Sequence, residues 1–190
     1  MLQRAKPTGR RSERTKAAIL TAAREHFAAD GYERATIRAI AADAGVDPAM
    51  VMRYFGNKEK LFGAAAEFDL RLPDLAAVPR GTLGSVLVGH FMDRWERDDT
   101  LQALLRAAVS YKVAVARLRA IFATQVMPAV APLCRDRATA ATRIGLVATQ
   151  MLGMALCRYV LRLPPVVALD RAAVIRWLAP AIQRYLTGSP

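Results

Sequence analysis

The side chains best suited to recognising another molecule lie in the short segment from Pro48 to Phe55. The guanidinium of Arg53 can pair with guanine through two parallel hydrogen bonds, and Ala49 and Met50 can contact thymine methyl groups. If the segment is a helix with one apolar inner face, its outer face is free to meet base edges. That outer face comprises Pro48, Ala49, Met50, Met52, Arg53 and Tyr54.

The preceding residues have the spacing of a helix-turn-helix, which lays its second helix in the major groove of DNA. Ala41 is small enough for a close helix crossing, and Gly45 tolerates the left-handed conformation that follows a helix C-terminus. Asp47 then caps a second helix that has Pro48 at its first position. Val46, Val51 and Phe55 supply its buried face.

Helical segments on both sides complete this N-terminal unit. Residues 12–30 carry Ile19, Ala23 and Phe27 at four-residue intervals, the pattern of a supporting helix. Asn57 caps a fourth helix that extends to Asp69. We therefore expect a three-helix DNA-binding domain over residues 12–56 and a linking helix over residues 57–69.

Four short motifs in this region carry a resemblance to a known family. The stretch reads ILTAAREHFAADGYERATIRAIAADAGVDPAMVMRYFGNKEKLF and contains F-x3-G-Y, T-I-R-x-I-A, A-G-V and Y-F-G-N-K-E-x-L-F in that order. It resembles the N-terminal domain of the TetR (tetracycline repressor-like) family of bacterial transcriptional regulators. The resemblance implies that Thr36 and Lys58 contact DNA phosphates and that the helix matching Pro48 to Phe55 enters the groove. Arg38, in the same motif as Thr36, is a further candidate contact.

One position departs from the family's pattern. The usual tyrosine of the reading helix is replaced by Met52, so its hydrogen bond to a phosphate is lost. Tyr54 is close by, and whether it takes over that bond stays open at this point.

Positive charge is concentrated at the N-terminus. The chain has 28 Lys and Arg against 16 Asp and Glu, a formal net charge of +12, which favours polyanionic partners. Residues 1–16 contain a single acid, Glu13, and the bases Arg4, Lys6, Arg10, Arg11, Arg14 and Lys16. We predict a flexible basic arm over residues 1–11, in which Arg10 and Arg11 touch DNA. A solvated tail with only a general attraction to DNA is the alternative.

Residues 70–190 are predicted to form a second helical domain. Its predicted helices cover residues 82–97, 99–110, 112–134, 138–162 and 170–186. No segment shows the alternation of a strand ladder. The predicted fold class is all-α, with an N-terminal three-helix helix-turn-helix domain and a C-terminal helical domain for ligand binding and dimerisation.

The last two predicted helices are expected to form a homodimer interface. The chain is 54% hydrophobic, which is high for a small protein with so many arginines, so some apolar surface is expected to meet a second subunit. Two helices from each subunit would make a four-helix interface, as the family resemblance also implies. The alternative is that these residues form intramolecular core. The candidate interface residues are Gly145, Thr149, Leu152, Gly153, Leu156, Val174, Trp177, Leu178 and Ala181.

The family resemblance also implies a small-molecule effector, which the sequence does not identify, in a cavity among the middle helices. Aromatic and Met side chains commonly line apolar pockets, and His90 would add a polar group. For each residue an ordinary core position is the alternative. The candidate lining residues are His90, Phe91, Trp95, Tyr111, Phe122, Met127 and Met151.

Several other classes of function are disfavoured. The chain has two His and two Cys, without the pattern of a nucleophile, a metal site or a phosphate-binding loop, so we expect no enzyme, cofactor or metal. The longest uncharged stretch lies between Arg119 and Arg135, and its 15 residues are short of the roughly 18 to 20 that a membrane span needs. No membrane segment or secretory signal is expected, so the protein should be cytoplasmic.

The sequence therefore predicts a sequence-specific DNA-binding transcriptional regulator. Its expected partners are a double-stranded DNA operator with an inverted repeat, a second copy of the chain, and a small molecule that releases the repressor. An architectural or non-specific DNA-binding dimer without an effector is the alternative.

Overall fold

The structure is a computed structural model that describes residues 8–188, and their side chains from Arg11 onward. Within this range the chain is helical and contains no strand, which confirms the all-α fold class. The N-terminal part consists of α1 (Thr8–Ala29), α2 (Gly31–Arg34), α3 (Ile37–Asp43), α4 (Pro48–Phe55) and α5 (Lys58–Ala65). The C-terminal part consists of α6 (Leu83–Arg97), α7 (Asp99–Ala108), α8 (Lys112–Ile121), α9 (Met127–Val130), α10 (Ala140–Ala155), α11 (Pro164–Val167) and α12 (Arg171–Thr187).

Shorter turns join or extend these helices. Three short 3₁₀ turns cover Leu75–Ala77, Arg80–Thr82 and Ala131–Leu133. Two π-helical turns, Phe122–Val126 and Leu156–Val160, continue α8 and α10 without a break. Such π turns occur frequently at functional sites.

The N-terminal helices are bounded by local caps that the sequence specifies. The Thr36 hydroxyl accepts a hydrogen bond from the Ala39 amide at the start of α3, at 3.1 Å. The Asp47 carboxylate accepts a hydrogen bond from the Ala49 amide of α4 at 2.7 Å. The Asn57 side chain accepts one from the Lys60 amide of α5, also at 2.7 Å. These caps satisfy amides that a helix N-terminus leaves without partners.

The N-terminal helices enclose one part of the hydrophobic core. Ile19, Ile40, Val51 and Leu61 are fully buried, and Phe62 is 2% exposed. They come from α1, α3, α4 and α5, so the helix that carries the candidate DNA contacts is held by apolar packing against the other three.

A second core lies between α6, α10 and α12. Met92, Ile144 and Ile182 are fully buried there, one from each helix. Gly84 lets α6 and α12 approach closely, since a Cβ at this position would overlap the backbone of Ala179. The C-terminal domain is therefore a tightly packed body with its own core.

Two boundaries of the N-terminal helices differ from the sequence predictions. Helix α1 begins at Thr8 rather than at residue 12, so residues 8–11 of the predicted flexible arm are helical and residues 1–7 lie outside the described range. Helix α5 ends at Ala65 rather than Asp69, although Phe68 beyond it is still buried at 5% exposure. The backbone after Ala65 forms hydrogen bonds with side chains of the C-terminal domain instead of helical bonds.

Two continuous helical stretches are long and apolar enough to span a membrane by length and composition alone, contrary to the expectation from uncharged runs. They cover Lys112–Leu133 and Ala140–Val160, and 17% and 28% of their apolar windows are buried. In this fold both stretches belong to the C-terminal body, where Ile121, Val130, Ile144 and Val147 face the core. Others, such as Leu118 and Met151, line a cavity, and Leu146 is exposed.

Candidate DNA-binding surface and ligand cavity

Helix α4 presents an outer face that contains five of the six predicted residues. Ala49, Met52 and Arg53 are exposed, and Met52 is 43% exposed. Pro48 and Met50 are half-buried, at the edge of this face. These side chains can therefore be approached by a large flat partner without any rearrangement of the core.

Tyr54 does not belong to the free face. It is half-buried, and its hydroxyl lies 3.1 Å from the Ser12 hydroxyl of α1, within hydrogen-bonding distance. Its ring packs beside Phe55, with a centroid separation of 6.5 Å. The prediction that Tyr54 is largely free is wrong, because this side chain joins α4 to α1.

The cationic and hydroxyl side chains around α4 differ in their exposure and in the contacts that they form. Lys58 donates a hydrogen bond to the Glu33 carbonyl at 2.9 Å and lies 4.7 Å from the Tyr32 ring centroid. Thr36 is exposed at the start of α3, and Arg38 is exposed on the same helix. Arg11 is exposed on α1, and the side chain of Arg10 lies outside the described residues.

A histidine stabilises the arrangement of α1 and α3. The two imidazole nitrogens of His26 lie 3.2 Å from Asp30 and 2.6 Å from Asp43. Partial burial lowers the pKa of His26, but the two carboxylates outweigh it, so the pKa is raised above its ordinary value of 6.5. Protonated His26 therefore strengthens the contact between α1 and α3.

The chain between the two domains is held by side chains that reach its backbone from both sides. We call residues 65–70 the link. Arg24 of α1 donates to the Ala65 carbonyl, and Arg117 of α8 donates to the Ala66 carbonyl, both at 3.1 Å. These two arginines cover the C-terminus of α5, where cations are favoured by the helix dipole.

Three more side chains of the body bind the far end of the link. Gln125 donates to the Phe68 carbonyl and accepts from the Leu70 amide, both at 2.7 Å. His90 donates through Nε2 to the Leu70 carbonyl at 2.8 Å, since a carbonyl can only accept. Arg94 donates to the Asp69 carbonyl at 3.0 Å. The position of the link is therefore determined by α6 and by the π turn that contains Gln125.

A cavity of about 150 Å³ lies directly behind these side chains. Its wall includes five of the seven predicted residues. The wall is apolar except for His90 and Arg94. Arg94 is not among the seven predicted lining residues. The predicted residues on the wall are His90, Phe91, Trp95, Phe122 and Met151, and the others include Leu87, Arg94, Leu118, Ile121, Val126 and Val147.

Two predicted cavity residues lie elsewhere. Tyr111 packs against Tyr32 of the N-terminal domain, with ring centroids 4.3 Å apart, and its hydroxyl donates to Glu33. Met127 packs with the core of α6, α10 and α12. Both predictions rested on residue type, which does not tell where in the body a side chain lies. The spacing of Leu87, Phe91 and Arg94 along one face of α6 would have been a better guide.

The last two long helices have an exposed apolar face. Trp177 is 74% exposed, Leu146 41% and Leu152 38%. A side chain added at Gly145 or Gly153 would meet nothing within 4 Å, so the small-residue stripe of α10 also faces outward. Thr149 is exposed and Ala181 is half-buried.

Three predicted interface residues face inward instead. Val174 is fully buried and Leu178 is 8% exposed, because both pack in the core between α6, α10 and α12. Leu156 is half-buried and packs against the core that includes the N-terminal helices. Leu146, which the sequence analysis did not select, takes their place on the outer surface.

Comparison with known proteins identifies the family. Residues 19–65 match the family described as bacterial regulatory proteins of the tetR family, and residues 81–186, more than half of the chain, match the tetracyclin repressor-like C-terminal domain. The chain belongs to the TetR family. TetR-family regulators bind DNA and act as dimers, and the family is one of transcriptional regulators rather than enzymes.

Relatives of this TetR-family chain include named repressors. The HTH-type transcriptional repressor Rv3405c of Mycobacterium tuberculosis is 45% identical over 65 residues, which are 34% of each chain. The repressor AcnR of Corynebacterium glutamicum is 42% identical over 64 residues, which are 34% of this chain and 31% of AcnR. The chain thus aligns with about a third of the length of these relatives.

Solved TetR-family structures match almost the whole chain. A TetR-family regulator from Streptomyces coelicolor A3 is 28% identical, with a TM-score of 0.60 and coverage of 98% of this chain and 99% of the other. NalD, the secondary repressor of the MexAB-OprM multidrug efflux pump in Pseudomonas aeruginosa, is 20% identical, with a TM-score of 0.63 and coverage of 93% and 98%. The second likeness shows the shared fold alone.

Proposed function

We propose that this chain is a transcriptional repressor that binds an inverted-repeat operator as a homodimer in the cytoplasm and releases it when a small molecule occupies the cavity. The observation that carries this proposal is that one π turn both lines the cavity and bonds the link. Phe122, Gln125 and Val126 share one π turn, in which two side chains line the cavity and the third binds the link. A ligand that changes this turn would act on the chain that leads to the DNA-binding helices.

Recognition of DNA is assigned to the outer face of α4. Arg53 would read a guanine, and Ala49, Met50 and Met52 would provide apolar contact to thymine methyl groups. Lys58 and Thr36, with Arg38 and Arg11, would contact phosphates and so position the domain without specifying sequence. Lys58 would have to exchange its bond to the Glu33 carbonyl for a phosphate, and the negative charge of the phosphate favours this exchange.

A second copy of the chain would cover the exposed faces of α10 and α12. Two-fold symmetry would place two α4 helices about one turn of DNA apart, roughly 34 to 36 Å, or slightly more, on one face of the duplex. The operator would then be an inverted repeat. This dimer is supported by the exposed Trp177, by the open stripe at Gly145 and Gly153, and by the family's dimeric assembly.

Selection of bound duplexes from a random library tests the proposal. We expect a two-fold symmetric consensus from the wild-type protein. A pool without symmetry or preference would contradict it and would favour an architectural DNA-binding dimer without an effector.

Variants of two side chains separate reading from positioning. In competition gel shifts, Arg53→Ala should lose most of its preference for one base pair in each half-site, about 1 to 3 kcal/mol per contact. Lys58→Ala should weaken binding to all sequences alike and should reduce the salt dependence. Lys60→Ala is the matched control, because Lys60 is exposed in the same first turn of the helix but two residues further on, so it points to a different side. Equal losses of selectivity in the Arg53 and Lys58 variants would contradict these roles.

A further inference from the structure

We propose that the effector is a small apolar monocarboxylate, whose carboxylate binds Arg94 and whose apolar part fills the cavity. This inference rests on the proposed function, since it names the chemical class of the ligand at the same site. It is carried by the unusual environment of one arginine on the cavity wall.

Arg94 has an unused buried donor. Among the described side chains, its Nε is the one buried polar atom without a hydrogen-bond partner. A guanidinium nitrogen always carries its proton and can only donate, so it requires an acceptor. Burial without an acceptor is unfavourable, and a ligand that supplies an oxygen at this place would remove that penalty.

The guanidinium is also held in place before any ligand arrives. One terminal nitrogen donates to the Asp69 carbonyl at 3.0 Å, and the guanidinium carbon lies 4.6 Å from the centroid of the Phe68 ring. A donor that is fixed in this way loses little conformational freedom when it binds an anion.

The neighbouring carboxylates are already paired with other arginines. Asp93 accepts from Arg171 at 3.1 and 3.2 Å, and Glu96 lies 3.7 Å from Arg158. Within residues 11–188, no carboxylate forms an ion pair with Arg94. The cavity wall therefore carries a cation without an ion-pair partner among the described residues, which favours an anionic ligand.

The size and polarity of the cavity restrict the ligand further. A cavity of about 150 Å³ is comparable to engineered protein cavities that hold one benzene molecule. The wall around Arg94 consists of side chains such as Leu87, Leu118, Ile121 and Val147. A single aromatic ring or a chain of about six carbons would fit this space. A phosphate is less suitable, since it would bring close to two negative charges to one cation within an apolar site.

The same guanidinium connects the ligand to the link. Arg94 holds the Asp69 carbonyl, and His90, one helical turn before it, holds the Leu70 carbonyl. A carboxylate at Nε would bind a side chain that already bonds the link. The bound acid would thus be connected to the link, which leads to α5, through a single residue, Arg94.

Calorimetric titration of the purified full chain tests this inference. The probes are benzoate and hexanoate, each compared with its amide, benzamide or hexanamide, which has nearly the same shape and no charge. We expect each acid to bind at least about tenfold more tightly than its amide, because the amide replaces an ion pair with the guanidinium by a hydrogen bond to an uncharged oxygen. Arg94→Met should abolish this preference, and Arg97→Met should keep it, since Arg97 is exposed on the same helix and lies outside the cavity wall.

Three results would overturn the inference: equal affinity for acid and amide, a preference that persists in Arg94→Met, or no binding of either acid at millimolar concentration. If Arg94→Met fails to fold by circular dichroism, Arg94→Gln replaces it, and the wild-type comparison of acid and amide still decides. Operator binding without ligand is measured in parallel by gel shift. Symmetric operator binding without acid binding would reject this inference alone, whereas failure to bind any operator would reject the proposed function.

Discussion

Removal of the Trp177 side chain should dissociate the dimer. The indole is 74% exposed in one chain, on the outer face of α12. Burial of a Trp side chain removes about 150 to 250 Å² from water, so about 110 to 185 Å² of Trp177 remain available for a partner. At about 25 cal/mol per Å², full coverage of this area would contribute about 3 to 5 kcal/mol per subunit.

A two-fold interface contains this contact twice. If the partner covers only half of the available area in each subunit, the two indoles together contribute about 3 to 5 kcal/mol to association. Trp177→Ala should then raise the dimer dissociation constant at least about 100-fold. Contributions of this size are typical of the few aromatic residues that dominate an interface.

Sedimentation equilibrium over a range of protein concentrations measures this constant directly. Val109→Ala is the control, because Val109 is 79% exposed but lies at the end of α7, away from α10 and α12. We expect the control to dimerise like the wild type, and Trp177→Ala to lose operator affinity together with dimerisation. An unchanged dissociation constant for Trp177→Ala, or an equal change in both variants, would refute the assignment of this face to the second subunit.

Two further predictions concern the stability of the two domains. Gly84→Ala should lower the free energy of unfolding by about 1 to 3 kcal/mol, because the added Cβ would overlap the Ala179 carbonyl and lie 3.0 Å from the Gln183 Cβ. Urea denaturation checks this against Gly81→Ala, where a Cβ meets nothing within 4 Å, and equal losses would contradict the packing argument. The raised pKa of His26 should add stability that is fully present below pH 6.5 and is lost as the pH rises through the folded-state pKa. Denaturation of wild type and His26→Gln across this pH range should show a difference that shrinks at higher pH, and a constant difference would exclude the pairing with Asp30 and Asp43 as its cause.

The position of the reading helix could be predicted because its signals are local. The Asp47 cap, Pro48 at the first turn and Gly56 after the last turn act within a few residues, and they set the bounds of α4. Gly56 has a φ of 82°, a left-handed conformation that favours glycine. Information of this kind is fully contained in a short stretch of sequence.

The inner and outer faces of the later helices could not be separated in the same way. Helix α12 has apolar residues on more than one side, so Val174, Trp177 and Leu178 all fit an apolar face. Only the packing of α6 against α12 decides that Val174 and Leu178 face inward and that Trp177 faces outward. Residue type misled the cavity prediction for a similar reason, since Tyr111 is aromatic but lies at the junction with the N-terminal domain.

The link shows why the coupling between the domains depends on contacts that are distant in sequence. Its backbone leaves the helical pattern after Ala65, so its position depends on side chains that arrive from α1, α6, α8 and the π turn. Gln125 meets Leu70 across 55 positions of sequence, and no local pattern marks it for this role. Because Arg94 and Gln125 bond the link and also belong to the cavity wall or to its π turn, a shift of either element must break or move bonds to the link. In the proposed mechanism, the DNA-binding helices would therefore respond to the state of the cavity through these hydrogen bonds to backbone atoms of the link.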